Sequence, residues 1–228
     1  IGAGVLTIDP NGAETIDGVA TLVLKKGEWT KFWTEGTAWR SLGAMAVSGG
    51  GAWDLLERTS LSGSATAFTA GDWTLYDEVQ ILIEHLVSNV AADDWLIQFS
   101  VDNGTSWLTA DYDWVVQAKD SGGTARDEVS SVDSGIQLNG SDIIGPEGGA
   151  NSHFLLHIVG MFDDGLASEG AMSWNGGHRS NVATEWTQVV GSGRRNTAGE
   201  LINAARIVRR GASATLSGNA SVWGRRRS

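Results

Sequence analysis

The stretch Trp73-Thr74-Leu75-Tyr76-Asp77-Glu78-Val79-Gln80-Ile81-Leu82-Ile83-Glu84-His85-Leu86-Val87 decides the fold class, because it fits two periodicities. Leu75, Val79, Leu82 and Leu86 lie on a helical stripe, and Asp72 could cap the start of a helix. Val79, Ile81, Ile83 and Val87 alternate as one face of a strand does. No glycine closes the stretch on its C-terminal side, and its β-branched residues suit a pleated surface. Strand-like segments flank it, so it is read as a strand and the chain as all-β.

Downstream, Trp95–Val101 runs into Asp102-Asn103-Gly104-Thr105. Asn-Gly between two β-prone runs predicts a hairpin whose second arm starts at Ser106. Further strands are expected at Phe154–Phe162, Gly170–Trp174, Glu185–Val190, Ala204–Val208, Ala212–Ser217 and Ala220–Trp223. Segments rich in Gly, Ser and Asp separate them, chiefly Lys119–Ala150 and Gly191–Glu200. Many short strands with turn signals predict a jelly-roll-like β-sandwich over residues 53–228. No internal repeat of propeller length is present.

Upstream, residues 1–43 read as a small β-meander module. Val5–Ile8 ends at the turn Asp9-Pro10-Asn11-Gly12, and Ala20–Leu24 ends at Lys25-Lys26-Gly27. Glu28–Thr34 alternates, and Glu35-Gly36-Thr37 turns into Ala38–Leu42. So few strands bury little apolar surface, so the module is expected to need partners. Residues 44–52, with Gly49-Gly50-Gly51, are expected to be a flexible linker.

Of 228 residues, 41% are hydrophobic and 19% charged, which argues for a packed chain. The longest uncharged apolar run, Phe154–Phe162, has nine residues, whereas a membrane-spanning helix needs about 20. No membrane insertion and no signal peptide are expected, and the missing initiator Met suggests a piece of a longer polypeptide or a processed product. The absence of cysteine removes disulfides, thiolate metal sites and cysteine nucleophiles together.

The net charge of −11 is unevenly spread. Residues 179–228 carry nine arginines against Glu185 and Glu200, a sum of +7, which leaves −18 for residues 1–178. Most of these arginines alternate with apolar residues. They are therefore expected to pair with carboxylates elsewhere in the chain or in a neighbouring subunit, rather than to bind nucleic acid.

Two stretches resemble a known family. Ile8-Asp9-Pro10-Asn11-Gly12-Ala13-Glu14-Thr15-Ile16-Asp17-Gly18, continued through Ala20–Leu24 to Gly36-Thr37-Ala38-Trp39, resembles a module of bacteriophage tail-fibre and other virion appendage proteins, with Glu35 where that pattern has Asp. The layout from Phe99-Ser100-Val101-Asp102-Asn103-Gly104-Thr105-Ser106-Trp107, through Ala204–Val208, to the closing Val222-Trp223-Gly224-Arg225 resembles the β-sandwiches that end many phage fibres and spikes. The resemblance implies a homotrimer located on the virion, held to other virion proteins by the N-terminal module and adhering to bacterial surface glycan. The alternatives within virions are a head decoration, a head spike or a baseplate part. An alternative of another class is a virion-borne glycan-degrading enzyme.

Ser100, Asp102, Gly104, Ser106 and Trp107 also match the Asp-box pattern, read here as a structural turn. A glycosidase would need two carboxylates at a set separation, with Asp93, Asp94, Asp111, Asp113, Asp163 and Asp164 as candidates. These are read as turn and surface residues. On a strand His153 and His157 would lie about 13 Å apart, too far to share a metal. His85 and His178 have no evident partners, and neither metal nor cofactor is expected. No G-x-S-x-G or phosphate loop is present, and the chain is read as a binding protein.

Eleven tryptophans mark the chain, and most lie in strand-like segments, where a large ring fills core or subunit interface. Two segments are read instead as loops combining an aromatic face with polar groups, a mixture that suits a sugar ring. They supply the expected glycan contacts: Asp111, Tyr112, Asp113 and Trp114, and Trp174, Asn175, His178 and Arg179.

Overall fold

The computed structural model of the chain describes residues 6–8, 22–24, 28–29, 32–35, 38–41, 45–46, 53–89, 94–123, 125–139, 152–159, 170–179, 186–197, 199–210 and 215–226. The chain divides into two compact units, residues 1–52 and 53–227.

The described residues of the first unit form three antiparallel pairs. β1 (Leu6–Ile8) pairs with β2 (Leu22–Leu24), β3 (Glu28–Trp29) with β6 (Met45–Ala46), and β4 (Phe32–Glu35) with β5 (Ala38–Ser41). The single strand expected over Glu28–Thr34 is thus two strands with different partners. Met45–Ala46 falls inside the expected linker, and the units divide at its far end. The turn expected at Asp9–Gly12 lies outside the described residues.

The second unit is an all-β fold of two antiparallel sheets. The larger has eight strands in the order β12 (Ala125–Asp133), β11 (Tyr112–Asp120), β16 (Trp186–Arg195), β15 (Ala171–Arg179), β14 (Ser152–Val159), β9 (Tyr76–Ser88), β18 (Leu216–Arg226), β7 (Trp53–Gly63). The smaller has four, in the order β13 (Ile136–Gln137), β10 (Trp95–Ser100), β17 (Ala204–Arg209), β8 (Ala65–Phe68).

The ambiguous stretch resolves as a short 3₁₀ turn, Trp73–Leu75, followed by β9. Asp72 does cap, accepting a 3.1 Å hydrogen bond from Thr74 N, but only for that turn. Val79, Ile81 and Ile83 point into the core as the alternation requires. The alternation then breaks. His85 takes a left-handed φ of 53°, the pairing with β18 slips, and Leu86 rather than Val87 becomes the buried residue. A bulge therefore buries one residue of the apparent helical stripe inside a strand.

The core lies between the two sheets. Trp95, Ile97, Phe99, Phe68 and Ile207 of the small sheet meet Ile81, Phe154, Leu156, Trp174 and Val189 of the large one, all essentially buried. Trp95 meets the edge of Phe154 at 5.7 Å between ring centroids. The Trp174 indole N–H donates to Leu138 O at 2.9 Å, which satisfies its one polar atom inside the core.

Four sequence expectations change. Residues 119–150 are not one irregular segment, since they contain all of β12 and β13. The strand expected to end at Val190 continues through Gly191 and Gly193 to Arg195. Ala212–Ser217 and Ala220–Trp223 are not separate strands, because β18 runs unbroken from Leu216 to Arg226. Gly218, at φ 141°, forms a bulge there instead of a turn, and a Cβ on it would stand 2.7 Å from His85 O. Finally, Asp102–Thr105 turns tightly, with Asn103 and Gly104 both left-handed, but no hairpin follows. β10 pairs with β13 and β17, and the chain crosses to β11 in the other sheet.

The basic C-terminal part pairs largely as expected. Arg194 meets Asp113, Arg195 meets Asp111 and Glu200, Arg210 meets Asp94 and Asp133, Arg225 meets Glu78, and Arg226 meets Asp54. Most of these carboxylates precede residue 179, so the charge asymmetry along the sequence is closed by strand pairing across the sheets.

Candidate functional site

Both segments read as aromatic loops are in strands of the large sheet, so alternation sends half of their side chains inward. Tyr112 and His178 are fully buried, Trp174 is 2% exposed and Trp114 is 7% exposed. These four build core and do not present a ring to a ligand. Asp113, Asn175 and Arg179 point to the opposite, outer face, and Asp111 stands just before β11 at φ 57°.

Tyr112 shows what the inward residues do instead. Its hydroxyl accepts from Phe99 N at 2.8 Å and donates to Leu108 O at 3.2 Å, tying β10 of the small sheet to the crossover that leaves it. Burial pushes the phenol up to about 12, against the opposing effects of the Phe99 N–H and the Arg195 charge.

The Asp-box residues form a closed hydrogen-bonded turn. Asp102 accepts from Ser106 Oγ (2.6 Å), Ser106 N (2.8 Å) and Ser100 Oγ (2.7 Å), while Gly104 N donates to Ser100 Oγ at 2.9 Å. The side-chain and backbone bonds from Ser106, with that from Ser100, hold the Asp102 carboxyl down at about 2. Trp107 lies against Gly104, and the Arg206 guanidinium sits 4.9 Å from its ring centroid. The Ser100, Asp102 and Ser106 side chains are all used within the turn.

The surface available for binding is the outer face of the eight-stranded sheet. The strand register aligns Val115, Ser192, Ser173, His157, Gln80, Trp223 and Leu55 in one row across β11, β16, β15, β14, β9, β18 and β7. Seven strands at about 4.8 Å spacing make that row roughly 29 Å long. Two depressions lie along it. One, of about 580 Å³, has a floor of small side chains, Ala171, Ser173 and Ser192, walled by Asp113, Val115 and Arg194 on one side and by His157 and Val159 on the other. The other, of about 540 Å³, surrounds Trp223 on β7, β18 and β9. Both volumes fall in the range of small-molecule sites.

The first groove is electrostatically organised. Asp113 and Arg194, register partners on β11 and β16, form a 3.5 Å ion pair at its rim. On the opposite wall His157 Nδ1 and Glu78 Oε1 are 2.7 Å apart, and the other Glu78 oxygen lies 3.4 Å from Arg225. Burial alone would raise the Glu78 carboxyl. Hydrogen bonds from His157 and Gln80, with the His157 and Arg225 charges, outweigh burial and lower it. Because Glu78 fixes Nδ1, the imidazole is oriented with Nε2 as its free polar atom among the described residues.

The carboxylates weighed for acid–base chemistry are engaged elsewhere. Asp111 bonds Arg195 at 3.1 Å, Asp113 bonds Arg194, and Asp94 lies 3.6 Å from Arg210. Asp93, Asp163 and Asp164 lie outside the described residues. His153 stacks on Trp186 at 5.4 Å, away from His157. Among the described residues no cluster of three or more His, Asp or Glu side chains is placed to hold a metal ion. No helix among them is long and apolar enough to cross a membrane.

Residues that sequence reading passed over carry this face: Ser173, Ser192, Arg194, His157 and Trp223. The signal was present as alternation. Ser173 sits between the buried Met172 and Trp174, and His157 between the buried Leu156 and Ile158. Small polar residues alternating with large buried ones mark an outward row even without an aromatic.

No family model, curated protein or solved structure matches this chain.

Proposed function

We propose that the chain is the host-contacting part of a phage virion appendage, a tail fibre or spike. It assembles as a homotrimer and adheres to bacterial surface glycan through the outer face of the eight-stranded sheet. The observation that carries the binding part is the 580 Å³ groove over Ala171, Ser173 and Ser192. It is a broad, shallow depression on a rigid sheet, with charged and hydrogen-bonding groups at both walls. An extended polymer can lie along such a face and leave it again, which suits reversible adhesion. The virion setting rests on the resemblance of Ile8–Trp39 and of the closing strand to appendage proteins.

Asp113, Asn175 and Arg179 of the expected contacts remain candidates, joined by His157, Ser173 and Arg194. Three copies multiply a weak affinity through effective concentration, so no single tight site is required. The N-terminal unit, built of short strand pairs, is the part that joins other virion proteins.

The test combines two readings. Light scattering should return three times the 24.1 kDa chain mass. The assembled protein should bind purified surface polysaccharide of a susceptible host, and Ser173→Trp, which fills the groove, should abolish that binding while the trimer persists. A monomer that binds no polysaccharide would overturn the reading.

A further inference from the structure

We infer that the depression around Trp223 is a separate site for one neutral, hydroxyl-rich sugar ring. This rests on the glycan-adhesion reading for its biological setting, but it is argued from different residues. Trp223 lies on the outer face of β18 and is half-buried. Its indole N–H donates to Ser221 Oγ at 3.1 Å, two residues back along the same strand, so the ring is pinned along the sheet and offers a face.

Three polar side chains stand around that ring. Arg58 on β7 and Glu84 on β9 line the same depression from opposite sides of β18, with Asn219 between them. Among the described residues none of these three side chains forms a hydrogen bond or an ion pair. Arg58 and Glu84 stand on strands two spacings apart, about 9.6 Å, with β18 between them. This contrasts with the rest of the face, where Asp113 and Glu78 each hold an arginine.

An apolar plate flanked by an unpaired guanidinium, an unpaired carboxylate and an amide matches the chemistry of a pyranose. The C–H face of the sugar stacks on the indole. Its hydroxyls accept from Arg58 and Asn219 and donate to Glu84. The charges of Arg58 and Glu84 cancel, so a carboxylate on the ligand meets no net attraction to offset its own desolvation, and neutral sugars are favoured over uronic acids.

The test follows the Trp223 indole Nε1–H resonance in the intact chain, assigned with Trp223→Phe. The probes are the methyl glycosides of glucose, galactose, mannose and rhamnose, with glucuronate as the anionic comparator. A saturable shift is expected with at least one neutral glycoside and none with glucuronate. Arg58→Met and Glu84→Gln should each weaken that binding about tenfold or more, the effect of losing one charge-assisted hydrogen bond. Both residues are exposed, so both variants should fold. The inference is overturned if no neutral glycoside shifts the resonance, if glucuronate binds equally well, or if the shift survives both substitutions. Failure of polysaccharide adhesion with a positive glycoside titration would instead count against the adhesion reading alone.

Discussion

Trp174 and Gly191 are register partners on β15 and β16, and a Cβ built on Gly191 would stand 2.1 Å from the indole. The ring lies over the bare backbone of the neighbouring strand, and the glycine is there because nothing larger fits. Gly191→Ala should therefore destabilise the chain by about 1–3 kcal/mol through overpacking. Trp174→Ala should cost about 3–5 kcal/mol as a buried aromatic truncation. The double substitution should cost less than the sum, since removing the ring frees the space that the methyl needs. Urea unfolding of the three variants measures all of this, and strict additivity would deny the contact.

This pair also explains where sequence reading failed. Glycine punctuates the chain at Gly176-Gly177 and Gly191, a pattern that predicts loops there. In the sheet these glycines instead make room for rings, Gly191 for Trp174 and Gly177 for Trp186. A glycine that receives a cross-strand aromatic looks, one strand at a time, the same as a glycine in a turn. The all-β class was legible because alternation in Val79, Ile81 and Ile83 and the β-branched content are local. The site was not, because a binding face on a sheet is assembled from register. Ser173 and Ser192 become one floor only once β15 pairs with β16.

The Asp102 turn predicts an acid-sensitive contribution to stability. With the folded carboxyl at about 2 and an ordinary value of 3.8, the stabilisation is complete above the ordinary value and is lost as the pH falls toward 2. Asp102→Asn should lower the unfolding midpoint at neutral pH, and the gap to wild type should shrink in acid. NMR titration of the Asp102 carboxyl checks the cause directly, and an ordinary midpoint would remove it.

The chain has two tyrosines, and both phenols are raised. Tyr112 is held at about 12 by burial, and Tyr76 is raised by burial and by the Asp54 charge beside it. Absorbance titration of the folded protein should show less phenolate at pH 10 than free tyrosine, which is half ionised there. Tyr112→Phe should cost about 1–3 kcal/mol, because it leaves the buried Phe99 N–H without an acceptor.

Glu78 is the remaining test, because it joins the wall of the first groove to the closing strand. It contacts His157 on β14 and Arg225 on β18, the two strands that flank its own. Its folded pKa is depressed below the ordinary 4.5, so its contribution is present above that value and disappears as the pH falls through the folded one. Glu78→Gln keeps the shape and removes the charge. At neutral pH it should cost about 1–2 kcal/mol, the scale of a charge-assisted hydrogen bond that is partly open to solvent. Once the pH has fallen through the folded value, wild type and variant should unfold together. The same substitution loosens the hold on the His157 ring, so it should weaken polysaccharide binding at the first groove and leave glycoside binding at Trp223 unchanged. Equal loss at both places would mean that Glu78 supports the sheet as a whole and does not orient His157 in particular.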